Sequence, residues 1–127
     1  MKILILDDDS IRHNIFDNKY RDHDVTHCYT YGEFVEALVS SSPWNLIHLD
    51  HDLGDMTAAD TYTDSWGQER EYTGQHAANQ ICSLGDDRLP EKVIVHSLNP
   101  VGAKRIVDIL RNRSVSVISQ PFSYIAQ

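Results

Sequence analysis

Cysteine, basic side chains and long apolar runs are all scarce in this sequence, and each shortage closes off a class of protein. Cys28 and Cys82 are its two cysteines, too few for a disulfide framework or a zinc knuckle. Both sit in apolar segments that suit small buried thiols. Eleven lysines and arginines face nineteen aspartates and glutamates, a formal net charge of −8. That balance opposes binding along a long nucleic-acid duplex, which calls for a basic surface. A small phosphate compound or a nucleic-acid end stays compatible with it if a metal neutralises the site. No apolar run approaches the ~18 residues of a membrane span. The first residues run straight into Met1-Lys2-Ile3-Leu4-Ile5-Leu6 and three aspartates, without the basic and apolar regions of a secretory signal. The expectation is a cytoplasmic protein with no membrane contact.

What is present is globular material: 127 residues, 41% hydrophobic and 24% charged. Two separate cores would each be marginal at this length, so residues 1–127 read as one domain. Lys2 to Leu6 reads as a short, fully buried strand ended by Asp7-Asp8-Asp9. A helix over about 10–20 follows, with Ile11, Ile15 and Phe16 facing inward, and Val25 to Cys28 forms a second strand. Thr30 and Glu33 have the spacing of a capping box, opening a helix with an apolar stripe of Phe34, Val35, Leu38 and Val39. Asn45 to Asp50 is the third strand. About 22 residues then intervene before a helix that opens at Thr73-Gly74 and turns Ala77, Ala78, Ile81 and Leu84 inward. Lys92 to His96 is the fourth strand. Asn99-Pro100 starts a helix, because Asn accepts orphan N–H groups and Pro at the first helical position has none to lose. Its inward residues are Ala103, Ile106, Val107 and Leu110, and Ser114 to Ser119 is the fifth strand.

This alternation predicts an α/β fold, a five-stranded parallel doubly wound sheet of flavodoxin-like type. The final helix is missing or very short, since Gln120 to Gln127 has no room for a full one. One sheet face is then left under-covered and apolar, and the expectation is that a homodimer buries it.

Ligands of open α/β sheets bind outside the carboxyl ends of the strands. Those ends carry Asp7, Asp8 and Asp9; Asp50, His51 and Asp52; His96 and Ser97; and Gln120 and Pro121. Two carboxylates about 4 Å apart repel by roughly 4 kcal/mol at an effective dielectric near 20. The cluster must therefore spread out, bind protons or hold a cation. Hard oxygens with an optional imidazole suit Mg²⁺ or Mn²⁺, which makes Asp7, Asp8, Asp50 and Asp52 the candidate metal ligands. His51 and His96 are the candidate acid/base groups. Ser97, Asn99 and the helix start at Pro100 are placed to receive phosphate oxygens, with Lys104 one turn further along. His76, in the first turn after Thr73-Gly74, is within reach of the same edge. His48 reads as structural, and His13, His23 and His27 show no constellation. The long segment between His51 and Tyr72 has the length of a functional loop, and its Tyr62, Trp66 and Tyr72 can stack on a nucleobase.

Asp7-Asp8, Asp50, Ser97 and Gln120-Pro121 at successive strand ends resemble a response-regulator receiver domain. The receiver pattern has a lysine where this chain has Gln120, and glutamine cannot supply that charge to a phosphoryl group. Ordinary phosphorelay is disfavoured accordingly. The sequence is more similar to the receiver-like family assigned to cyclic-phosphate processing. That similarity runs through Leu6-Asp7-Asp8, Leu49-Asp50-His51-Asp52-Leu53-Gly54, Thr73-Gly74 and His96-Ser97-Leu98-Asn99-Pro100-Val101-Gly102. It implies a metal-dependent phosphoesterase acting on a cyclic nucleotide, a cyclic dinucleotide or an RNA 2′,3′-cyclic end, in RNA repair or virus–host conflict. The competing reading is a non-catalytic pseudo-receiver that sequesters a nucleotide or docks a partner protein.

Overall fold

The computed structural model describes residues 1–53 and 61–125. Five parallel strands form the sheet: β1 Lys2–Leu6, β2 Asp24–Cys28, β3 Leu46–Leu49, β6 Lys92–Val95 and β7 Val117–Ser119. Their order is β2-β1-β3-β6-β7, the doubly wound order whose switch point lies between β1 and β3. β1 and β3 are buried on both faces, which explains why they read as continuous apolar runs.

Helices α2 (Tyr31–Ser41), α3 (Gly74–Cys82) and α4 (Pro100–Asn112) build the larger core layer. Phe34, Leu38, Ala77, Ala78, Ile81, Ala103, Ile106 and Leu110 meet Leu4, Leu6, Ile47, Leu49, Val93 and Val95 there. The Thr30–Glu33 capping box and the Asn99-Pro100 start of α4 form as their residue types require. Helix α1 (Ser10–Lys19) covers the opposite face, packing Phe16, with Tyr20 just beyond its end, on Ile3, Ile5 and Leu46.

Several expectations are corrected in detail. On α1, Ile11 is 69% exposed, whereas His13 is buried; the helix turns a histidine inward because that side chain finds polar partners there. Val39 on α2 is exposed as well. The fifth strand begins at Val117 rather than Ser114. Ser114 takes a left-handed conformation, φ 64°, and with Val115 closes the end of α4 through N–H bonds to Arg111 and Leu110. Part of the 22-residue insert is a small antiparallel hairpin, β4 Thr61–Thr63 and β5 Glu69–Glu71. The last helix, α5 Phe122–Ile125, is a single turn, short as expected. On the face it shares with α1, Ile118 pairs in register with Ile94 and remains 39% exposed.

Candidate active site

Sheet register builds the site. Leu6 lies beside Leu49, and Leu49 beside Val95, so the next residues, Asp7, Asp50 and His96, come level at the switch-point edge. All three are buried, and one ligand atom from each lies within 4.8 Å of the others. A cleft of about 480 Å³ opens over them, lined by Asp8, Arg12, Asp50, Asp52, His96, Leu98, Phe122 and Ser123.

Asp7 is fully enclosed and fully partnered. Its Oδ1 accepts from Asp9 N–H and Arg12 Nη2, both at 2.8 Å, and its Oδ2 accepts from Arg12 Nε and His96 Nε2, both at 2.7 Å. These four bonds fill the lone-pair sites a carboxylate offers. Burial works against ionisation of Asp7, but the hydrogen bonds from His96, Arg12 and Asp9 outweigh it and hold the group well below the usual carboxylate range. Asp50 has weaker support: His51 N–H at 2.8 Å and Arg12 Nη2 at 3.3 Å. Burial, helped by the charge of Asp7, pushes its pKa up to about 6. The two neighbouring carboxylates are thus driven apart in acidity. Asp8 is half-exposed and also raised, chiefly by burial and then by Asp7. Asp52 is exposed and accepts from His51 Nδ1 at 2.9 Å. Both line the cleft, outside the tight Asp7–Asp50–His96 group.

His96 donates its Nε2 proton to Asp7, and its ring is packed edge-on against Phe16. Its Nδ1 is buried without a partner among the described residues. His51 is buried too, but it packs under the first turn of α4 rather than lining the cleft. A Cβ on Gly102 would fall 2.7 Å from its Nε2, so Gly102 is where the helix admits this ring. Gly74 has a matching role. Its N–H donates to the His51 carbonyl at 2.9 Å, and a Cβ there would run into the Asp50 carbonyl oxygen and stand 2.8 Å from Ile106 Cδ1. The Thr73-Gly74 pair therefore sets the start of α3 directly against the Asp50-His51 backbone.

The remaining expected binding residues are placed nearby but otherwise engaged. Ser97 Oγ accepts from Asn99 N–H at 3.0 Å, and Asn99 Oδ1 accepts from Gly102 N–H at 3.0 Å. The Asn99 groups expected to receive phosphate thus serve the helix cap. Lys104 pairs with Asp108 at 3.0 Å and lines a second cavity, with Ser97 and Leu98. His76 is held by the α3 cap, its Nδ1 accepting from Thr73 N–H at 3.0 Å, and it packs among Tyr31, Tyr62 and Tyr72 rather than in the cleft. Trp66 is 86% exposed at the tip of the β4–β5 hairpin, whose turn is tied by Asp64 to the N–H groups of Trp66 and Gln68. Gly54 lies outside the described residues.

Two features escaped the sequence reading. Arg12 reaches back from the first turn of α1 to Asp7, Asp8, Asp9 and Asp50; its four-residue spacing from Asp8 was the available signal. His13 and His27 do form a constellation. His13 Nε2 donates to the Asp7 carbonyl at 2.7 Å, its Nδ1 meets His27 Nδ1, and His27 Nε2 meets Asp17 at 2.6 Å. Burial lowers the pKa of His13. His48 is structural as expected: Tyr20 OH lies 2.7 Å from its Nε2.

A parallel sheet of order β2-β1-β3-β6-β7 with paired acids at the switch point defines a receiver-type domain. The family model described as "Cyclic-phosphate processing Receiver domain" matches residues 2–112, and the chain belongs to that family. Solved structures share the fold at low identity. The response regulator TrrA of Thermotoga maritima, in complex with Mg²⁺ and BeF, is 16% identical with a TM-score of 0.64, covering 98% of this chain and 90% of that one. The N-terminal domain of a response regulator/sensory box/GGDEF protein from Carboxydothermus hydrogenoformans is 20% identical, with a TM-score of 0.60, and covers 94% and 78%. A receiver domain of a DNA-binding response regulator from Colwellia psychrerythraea is 15% identical, with a TM-score of 0.57, and covers 98% and 90%. No curated protein matches the sequence significantly.

The donor set fits a divalent cation: two hard carboxylates and an imidazole gathered at one point. Arg12 brings a positive charge to the same two carboxylates. Among the described residues, no helix is long and apolar enough to cross a membrane.

Proposed function

We propose that this chain is a divalent-metal-dependent phosphoesterase that opens a cyclic phosphate: a cyclic nucleotide or dinucleotide signal, or an RNA 2′,3′-cyclic end. The observation that carries the reading is the buried Asp7–His96 pair, 2.7 Å apart, set beside Asp50 at the floor of an open cleft. A docking surface has no need of such a group, because burying charge is costly unless it serves binding or chemistry.

Asp7 and Asp50, with Asp8 and Asp52 at the rim, are the residues that would hold Mg²⁺ or Mn²⁺. When bound, the ion supplies a Lewis acid for a phosphoryl oxygen and makes a bound water more acidic. His96 is the acid/base group in this reading, since Asp7 orients its ring and imidazole can both take and give a proton. Ser97 keeps its hydroxyl proton free to donate to a phosphate oxygen, because its Oγ acts as acceptor toward Asn99. Leu98, 82% exposed, and Phe122 give the cleft an apolar wall against which the non-phosphate part of the substrate packs. His51, tucked beneath α4, positions Asp52 and the Asp50 backbone. Self-association through the Ile94–Ile118 face belongs to the same reading; a monomer at micromolar concentration in sedimentation contradicts it.

A second reading is favoured by one observation. Arg12 already pairs with Asp7 and Asp50 in the acidic pocket, an arrangement that suits a non-catalytic pseudo-receiver that sequesters a nucleotide or docks a partner. Chromatographic product analysis separates the two. The panel holds RNA 2′,3′-cyclic ends, cyclic mononucleotides and cyclic dinucleotides, each with Mg²⁺, Mn²⁺ or chelator. Metal-dependent ring opening supports the hydrolase, whereas intact ligand recovered after tight binding supports the binding module.

A further inference from the structure

Arg12 is the one lysine or arginine among the described residues lining the cleft, and it stands where a cation is expected. Its fork takes both oxygens of Asp7 and reaches Asp50 Oδ2 at 3.3 Å. With Asp9 and His96 also donating, Asp7 has no lone pair left for a further ligand. A divalent ion can enter the Asp7–Asp50 group only if one of these donors withdraws. His96 and the Asp9 N–H are fixed on the strand end and its turn. Arg12 is on a long flexible side chain, and that side chain is 26% exposed toward the cleft.

We propose that Arg12 is a built-in counter-ion of this site. Its guanidinium and a divalent cation occupy the Asp7–Asp50 carboxylates alternately, and the guanidinium displaced by the cation receives the phosphate of the ligand. Like charges cannot share the two carboxylates at contact distance, so the exchange is competitive. The released fork suits a phosphate because its paired N–H donors match two phosphate oxygens. It also brings a cation to the cleft from α1, where Gln120 at the end of β7 supplies none. This inference rests on the metal-binding part of the proposed function and needs no turnover.

The test is calorimetric titration of Mn²⁺ into the wild-type chain, Arg12→Gln and Arg12→Lys, with thermal melts in chelator and in saturating Mn²⁺. Arg12→Gln should bind Mn²⁺ roughly tenfold or more tightly, the ordinary scale of coupling between two ligands. It should melt below wild type in chelator and gain more from Mn²⁺ than wild type does. Inorganic phosphate titrated onto the Mn²⁺-loaded proteins should bind about tenfold more weakly to Arg12→Gln, with Arg12→Lys in between. Equal or weaker Mn²⁺ binding by folded Arg12→Gln overturns the competition, and unchanged phosphate binding overturns the second role. Should Arg12→Gln fail to fold, Arg12→Lys, which keeps a charge but loses the fork, carries the same Mn²⁺ comparison. Competition observed without hydrolysis of any cyclic phosphate leaves this inference standing and removes the hydrolase.

Discussion

His96 Nε2 donates to Asp7 Oδ2 at 2.7 Å, a bond between residues 89 positions apart and both buried. It links the ends of β6 and β1 across the intervening β3 and gives an imidazole a fixed orientation over the cleft. Replacing His96 with Gln should lower kcat by about 10²–10⁴-fold, the usual worth of positioned proton transfer. The loss of a hydrogen bond to a charged group should also cost about 1.5–3 kcal/mol in urea unfolding. A purely structural histidine would show the stability loss while the folded fraction kept its kcat.

Asp50 should make cation binding pH-dependent. Burial raises its pKa to about 6, so below that pH the carboxyl must lose a proton before it can act as a ligand. Mn²⁺ affinity should rise as pH is brought up through 6 and level off above it. An affinity flat between pH 5 and 7 would remove Asp50 from the ligand set. The same shift bears on stability. A carboxyl whose pKa is raised on folding destabilises the metal-free fold as pH rises from about 4 to 6. Asp50→Asn should therefore be more stable than wild type by about 1–3 kcal/mol at pH 7 in chelator.

His48 produces the opposite slope. Burial, with the nearby charge of His96, lowers its pKa to about 3, so the unfolded chain binds a proton that the folded chain refuses. The stability it contributes is whole above the unfolded pKa near 6.5 and is lost as pH falls from there toward 3. Between pH 7 and 5 the wild type should lose about 2 kcal/mol relative to His48→Leu. Parallel pH profiles for the two proteins would contradict this.

Gly74 and Gly102 hold the two halves of the Asp50-His51 segment. An alanine at 74 meets backbone, the Asp50 carbonyl, whereas one at 102 meets the His51 ring. Gly74→Ala should cost about 1–3 kcal/mol or more and should weaken Mn²⁺ binding in the folded fraction. Gly102→Ala should shift His51 with a smaller effect on the metal. Equal effects on Mn²⁺ affinity would show that the start of α3 does not set Asp50.

Most of the sheet and the acid set were legible in the sequence for a physical reason. Strands buried on both faces write themselves as apolar runs, and parallel strands put all their carboxyl ends on one edge. Asp7, Asp50 and His96 each end such a run, so their meeting needed no side-chain geometry. The caps of α2 and α4 were equally plain, because Thr30, Glu33, Asn99 and Pro100 act within one turn. Arg12 was not legible, since it works by folding back over the end of β1, and a surface arginine on α1 has the same spacing. The His13–His27 contact depends on β1–β2 register and on which way α1 turns. The β4–β5 hairpin left little trace because Glu69, Arg70 and Glu71 are all exposed and show no apolar alternation.

Metal-dependent opening of a cyclic phosphate at the switch-point carboxylates, as proposed, would be visible at the ring phosphorus itself. The most direct measurement is phosphorus NMR of a cyclic phosphate that the protein binds, followed with Mg²⁺ for the wild type and Asp50→Asn. The cyclic resonance should give way to a monoester or open diester in the wild type with Mg²⁺. No conversion is expected in chelator, and none above background with Asp50→Asn. A bound substrate whose cyclic resonance persists with Mg²⁺, or conversion at the same rate in the variant, would contradict it.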